Sequence, residues 1–321
     1  MNIIRLEDRL MLDDMSQKIE TWAKWAPGEF TVSDMDRELE LNTFELRRDR
    51  TMACEKLVSD GIFERVGKRR GVYRMRQCDL KRQDLSAVKG QAADLWMPFN
   101  LTQGPNRLVD IYPGNIITIG GEKNSGKTAF MLNIALTNRR EWNVHYFNSE
   151  MPDEELALRT GLFDCPKQEW DLVNFYFRHR DFSDVIFNGK NDLNIIDFLE
   201  ISDDFYLIGQ LVRNIFDRLG DAVAIIAVQK KTGADNPRGG EFVKEKSRLH
   251  LDLSHCDGEY RNKMQINPAK NWAKDGVNPT GLYVKYKLVK GNFFKPFYDH
   301  AGNMWFRDEY APQTKRKGKD E

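Results

Sequence analysis

The run Asn115-Ile116-Ile117-Thr118-Ile119-Gly120 is short, β-branched and apolar, and it leads without a break into Gly121-Glu122-Lys123-Asn124-Ser125-Gly126-Lys127-Thr128. An apolar stretch at helical spacing, 129 to 136, follows at once. Strand, glycine-bearing loop and helix in that order form a phosphate-binding loop: the glycines let backbone N–H groups wrap phosphate oxygens at a helix N-terminus. In that frame Lys127 neutralises the β and γ oxygens, and the Thr128 hydroxyl ligates Mg²⁺. All eight residues, Gly121, Glu122, Lys123, Asn124, Ser125, Gly126, Lys127 and Thr128, are expected to touch the nucleotide, with ATP and Mg²⁺ as cofactors.

Two further strands carry acids to their ends. Val144-His145-Tyr146-Phe147-Asn148 runs into Ser149-Glu150-Met151, and read as a strand beside the phosphate-binding one it places Glu150 where it can orient and deprotonate an attacking water. Leu193-Asn194-Ile195-Ile196 ends in Asp197, the pattern of an acid that holds Mg²⁺ through water. A helix is expected over 205–219 and another buried strand over 222–228, ending at Gln229. Strands alternating with helices imply an α/β domain with a parallel sheet covered on both faces.

The first 76 residues read differently. Leu12, Met15, Ile19, Trp22 and Trp25 have helical spacing and Pro27-Gly28 stops the helix. Phe30 to Val32 is strand-like, Ser33 is the expected cap of a second helix, and Thr43 caps a third over 44–59, with Phe44, Met52, Leu57 and Val58 as its inward positions. Two alternating segments, 62–66 and 71–75, flank Gly67-Lys68-Arg69-Arg70 as a hairpin with a basic tip. Three helices and a hairpin resemble a winged helix-turn-helix domain. From 43 to 76 there are ten Lys/Arg against five Asp/Glu, although the whole chain balances 49 against 49. Local basicity of this kind suits phosphate contact, and Arg47, Arg48 and Arg50 on the third helix with Lys68, Arg69 and Arg70 at the tip are the expected DNA-binding residues. The other reading is a protein-docking module with a solvated basic face.

The expected domains are a winged-helix-like unit over 1–76, a linker over 77–108, an ATPase domain over 109–312 and a disordered basic tail over 313–321. Four scattered cysteines form no Cys-x-x-Cys pair, and five histidines form no metal cluster. With no apolar run of about 18 residues and no apolar leader, the expectation is a cytoplasmic protein with no membrane partner.

With these motifs in order, the segment from about 113 to 294 resembles the RecA-like core of DnaB-type replicative helicases. The resemblance implies that Phe147-Asn148-Ser149-Glu150-Met151 is the catalytic-glutamate motif, Asp197 the Walker B acid and Gln229 the γ-phosphate sensor. It implies that Lys270, before Asn278-Pro279-Thr280-Gly281, is a trans-acting finger, so that ATP sites form between subunits of a ring or filament. It also implies that the basic loop after the sensor strand meets single-stranded DNA through Lys230, Lys231 and Arg238. Trp272 and Ala273 stand where the family usually supplies an arginine. The function expected is an oligomeric, DNA-dependent ATPase of helicase or translocase type; the alternative is a loader-like or filament-forming protein in which ATP controls assembly without unwinding. Asn262-Lys263-Met264-Gln265 lacks the aspartate of a guanine-reading motif, which disfavours a GTPase, and no signature of a small-molecule kinase lid is present.

Overall fold

The computed structural model describes residues 6–24, 26, 28–67, 70–76, 85, 86, 88–199, 207–230 and 241–307. The chain divides into two units, 1–88 and 89–321. Among the described residues, no helix is long and apolar enough to cross a membrane.

The smaller unit contains α1 (Leu6–Ala23), β1 (Glu29–Thr31), α2 (Val32–Glu38), α3 (Phe44–Ser59), β2 (Phe63–Arg65) and β3 (Val72–Met75). Its antiparallel sheet has the order β1-β3-β2, with Tyr73 opposite both Phe30 and Arg65. The third strand is an addition to the expected hairpin. Thr31, rather than Ser33, caps α2: its hydroxyl accepts from Asp34 N at 3.1 Å, while Asp34 Oδ2 accepts from Thr31 N at 2.9 Å, a reciprocal capping box. Thr43 caps α3 as expected, accepting from Leu46 N at 3.2 Å.

The inward face of α3 differs from the expected one. Ala53, Cys54, Leu57 and the polar Arg50 are buried, whereas Phe44 is 83% and Met52 41% exposed. Arg50 turns inward because Asp36 meets it with both oxygens, Nε to Oδ1 and Nη2 to Oδ2, each at 3.1 Å. A bidentate pair of this kind satisfies a buried guanidinium. Arg50 is therefore a tie between α2 and α3, a correction to its expected place among the DNA contacts.

The larger unit contains β4 (Ile116–Gly121), α4 (Lys127–Asn138), β5 (Asn143–Asn148), α5 (Asp153–Thr160), β6 (Val173–Phe177), β7 (Asp192–Leu199), α6 (Leu207–Arg218), β8 (Val223–Gln229), α7 (Glu241–Glu245), β9 (Ser247–His255), β10 (Asn262–Ala269), β11 (Leu282–Val289), β12 (Phe293–Pro296) and β13 (Phe306–Arg307). One sheet runs β12-β11-β10-β9-β4-β8-β7-β5-β6, with β13 on β11. From β9 to β6 the pairs are parallel; β10 to β13 add antiparallel pairs, so the sheet is mixed rather than wholly parallel. Successive residues of the central strands serve opposite faces. Ile117, Ile195 and Ile225 join one hydrophobic cluster with Phe130 and Ile134 of α4, and Ile116, Ile196 and Ile226 join another with Val212 and Ile215 of α6. Burial on both faces accounts for the unbroken apolar runs of β4 and β8.

Residues 89–108, expected as linker, belong with this unit. Leu95, Met97 and Leu101 are fully buried in its core, and Ala93 N donates to Ile111 O at 2.7 Å. The Asn138 side chain joins α4 to this segment, accepting from Trp96 N at 2.8 Å and donating to Trp96 O at 2.9 Å.

Candidate nucleotide site

The loop between β4 and α4 is held from several sides. Gly126, at φ 95°, precedes α4 in the left-handed region that glycine occupies freely, and Asn124 lies at φ 62°. A Cβ on Gly121 would stand 2.5 Å from Lys127 Cγ, so the lysine can cross the loop only because that position is glycine. Ser125 Oγ donates to Glu122 O at 2.8 Å, and the buried Tyr286 of β11 donates to Ser125 O at 2.6 Å. From β9, His255 N donates to Glu122 Oε2 at 3.0 Å, and the ring Nε2 lies 3.0 Å from Lys123 O.

Lys127 Nζ donates to Gly121 O at 2.9 Å and Glu122 O at 3.0 Å. Burial lowers its pKa, opposed by Asp197, Glu150 and Glu122. Across the cavity Asp197 is buried, accepting hydrogen bonds from the Thr128 hydroxyl and from Tyr146 Oη, the latter at 2.6 Å. Burial raises the Asp197 carboxyl above its ordinary value against the pull of Tyr146, Thr128 and Lys127. Tyr146 is itself pushed well up, first by burial and then by Asp197, which keeps its proton available to donate.

Glu150 follows β5 in a turn shaped by Asn148, whose Oδ1 accepts from Glu150 N at 3.3 Å and Met151 N at 2.9 Å. Ser149 fastens this turn to β7, with Ser149 N donating to Asp197 O at 3.0 Å and Phe198 N donating to Ser149 Oγ at 3.0 Å. The strand of Glu150 is not beside the phosphate-binding strand as expected; β8 and β7 stand between them. Their C-terminal ends nevertheless converge. A cavity of about 460 Å³ is lined by Lys123, Asn124, Gly126, Lys127, Thr128, Glu150, Asp197 and Gln229, together with Arg159 of α5 and Leu288 and Gly291 near β12. A buried carboxylate beside a hydroxyl and an ammonium satisfied by loop carbonyls fit a magnesium–nucleotide complex.

The remaining expected residues divide. Lys230 is buried, its Nζ 3.3 Å from Asp252 Oδ1, and is removed from the DNA contacts because no phosphate reaches it there. Lys270 is not among the cavity residues; exposed at the end of β10, it donates to Glu245 O at 2.9 Å and Lys244 O at 3.3 Å at the end of α7. Arg48 and Arg70 are exposed, and Arg47, also exposed, donates to Leu41 O at 3.0 Å. Lys68, Arg69, Lys231 and Arg238 lie outside the described residues. Sequence reasoning missed Tyr146, Tyr286, His255 and Arg159; a tyrosine within an otherwise apolar strand was the available signal for the first, since a buried hydroxyl requires a partner.

Strand order and loop geometry define a RecA-like P-loop core resembling that of DnaB-type helicases. Among solved structures, the chain is similar to a KaiC-like protein from the hyperthermophilic archaeon Pyrococcus horikoshii OT3, at 12% identity and a TM-score of 0.48, over 63% of this chain and 99% of that one. It is also similar to a second solved structure, an ATPase domain, at 17% identity and a TM-score of 0.43, over 57% of this chain and 85% of that one. No protein-family model matches the chain, and no curated protein matches it.

Proposed function

We propose that the protein is a DNA-dependent ATPase of the RecA/DnaB-like class that works as an oligomer on DNA. The observation that carries the reading is the convergence of Lys127, Thr128, Asp197, Glu150 and Gln229 on one cavity. Bound Mg²⁺, held by Thr128 and through water by Asp197, would offset the charge of the β and γ oxygens. Lys127 exchanges its loop carbonyls for phosphate oxygens. Glu150 takes a proton from water as the water oxygen bonds to the γ phosphorus and the bond to the β–γ bridging oxygen breaks, giving ADP and phosphate. Gln229, at the end of β8, senses whether the γ-phosphate is present.

The small unit supplies DNA contact in this reading. Its helices, with an antiparallel sheet ending in a hairpin, match the order of a winged helix, and Arg47, Arg48 and Arg70 are exposed on it. Contacts of this type depend on phosphate and weaken with salt. Lys270, exposed at a strand end, suits a role toward a neighbouring subunit.

ATP turnover without DNA, with single-stranded DNA and with duplex, alongside particle size, tests the reading. Stimulation by single-stranded DNA that Lys127→Ala abolishes is expected. Turnover indifferent to DNA, with ATP changing only assembly size, would favour an ATP-controlled assembly protein.

A further inference from the structure

Three cations line the nucleotide cavity among the described residues: Lys123, Lys127 and Arg159. Lys127 belongs to the phosphate-binding loop, Lys123 lies on its exposed turn, and Arg159 comes from α5, the helix that begins three residues after Glu150. Arg159 is paired with Glu155 at 3.1 Å, both side chains being about half exposed. An ion pair of that exposure contributes roughly 0–1 kcal/mol, so a triphosphate readily displaces Glu155. No side chain of α5 is buried, which leaves the guanidinium free to turn. Its charge is felt at Tyr146, whose hydroxyl is bonded to Asp197, placing the arginine toward the end of the cavity where the metal and γ-phosphate belong.

The segment after Lys270 offers no arginine before Arg307, and Trp272 is anchored there by donating Nε1–H to Ala269 O at 3.1 Å. Resting on the nucleotide-site reading above, we infer that Arg159 supplies the second cation to the γ-phosphate from within the same subunit, held by Glu155 until nucleotide enters. The planar fork suits two phosphate oxygens, which a lysine does not reproduce.

Binding and turnover are measured on the full chain with Arg159→Ala, Arg159→Lys and Glu155→Gln. Arg159→Ala weakens a non-hydrolysable ATP analogue about tenfold or more, as expected for a lost charge-assisted bond, and leaves ADP affinity unchanged. Equal loss for both nucleotides, or for neither, overturns the inference even if the protein hydrolyses nothing. Glu155→Gln keeps or tightens analogue binding, and Arg159→Lys restores only part of it; full rescue by lysine contradicts the fork. An equal mixture of Arg159→Ala and Glu150→Gln subunits decides cis from trans. Action in cis leaves every site deficient and the mixture inactive, whereas recovered turnover, expected from about a quarter of interfaces if the arginine acted across subunits, overturns the assignment while supporting the ATPase itself.

Discussion

Lys230 Nζ lies 3.3 Å from Asp252 Oδ1 with both side chains almost wholly removed from water, one residue beyond the proposed sensor Gln229. Asn267 Nδ2 donates to Asp252 Oδ2 at 3.0 Å, and Lys230 N donates to Gly121 O at 2.9 Å, so the pair joins β8, β9, β10 and the start of the phosphate-binding loop. Removing one member of a buried pair costs about 3–5 kcal/mol, because the other charge is left without a partner. Lys230→Ala and Asp252→Ala are each expected to lose that much in denaturant unfolding, and Lys230→Met with Asp252→Leu to recover most of it. Near-normal stability of either single variant contradicts the pairing.

Arg48 and Arg50 are two residues apart on α3 and should behave oppositely. Arg50→Ala strands Asp36 and lowers the melting temperature of the small unit, by about 3 kcal/mol or more in stability. Arg48→Ala leaves melting unchanged and weakens DNA binding, reducing the salt dependence by about one phosphate contact. Melting curves and binding isotherms at several salt concentrations separate the two.

These two cases also mark where the sequence was legible. The phosphate-binding loop was readable because backbone geometry there demands glycine, and the β4 and β8 runs because strands covered on both faces admit little but apolar residues. Arg50 and Lys230 were misread for one reason: each is a charge whose partner, Asp36 or Asp252, is remote in sequence, so nothing local distinguishes it from a solvated cation. The phase of α3 followed, since placing Phe44 and Met52 inward assumed that apolar residues face the core. Residues 95 to 101 alternate Leu95, Met97, Phe99 and Leu101, a period of two that Pro98 and Gly104 obscured. The strands β10 and β11 carry Lys263, Gln265, Lys285 and Lys287 between their buried residues and lacked the apolar density that revealed β4.

Burial raises the Asp197 carboxyl, so its ionised form opposes folding: the nucleotide-free protein gains stability as pH falls through the raised folded value toward the unfolded one. Metal binding requires the ionised form and moves the other way, weakening on acidification before an ordinary carboxylate would. Asp197→Asn is expected to raise the melting temperature of the nucleotide-free large unit by about 2 °C or more while abolishing Mg²⁺-dependent nucleotide binding. Calorimetry with and without Mg²⁺-nucleotide reads both effects, and a destabilised variant contradicts this account.

Cys54 is buried against Met35, and burial pushes its thiol up to about 11. At pH 8 it is expected to resist a disulfide-exchange reagent until the small unit unfolds, while the half-buried Cys165 and Cys256 react in the folded protein. Mass spectrometry after brief labelling, with and without denaturant, identifies the labelled positions.

The central claim is that Glu150 activates water at a site built by Lys127, Thr128 and Asp197, and the most direct measurement is Mg²⁺-ATP affinity and single-turnover hydrolysis on the same preparations of wild type and Glu150→Gln. The expected result is a nearly unchanged Kd with hydrolysis slowed by about 100-fold or more, the range for loss of a general base. Hydrolysis by Glu150→Gln at the wild-type rate would contradict it.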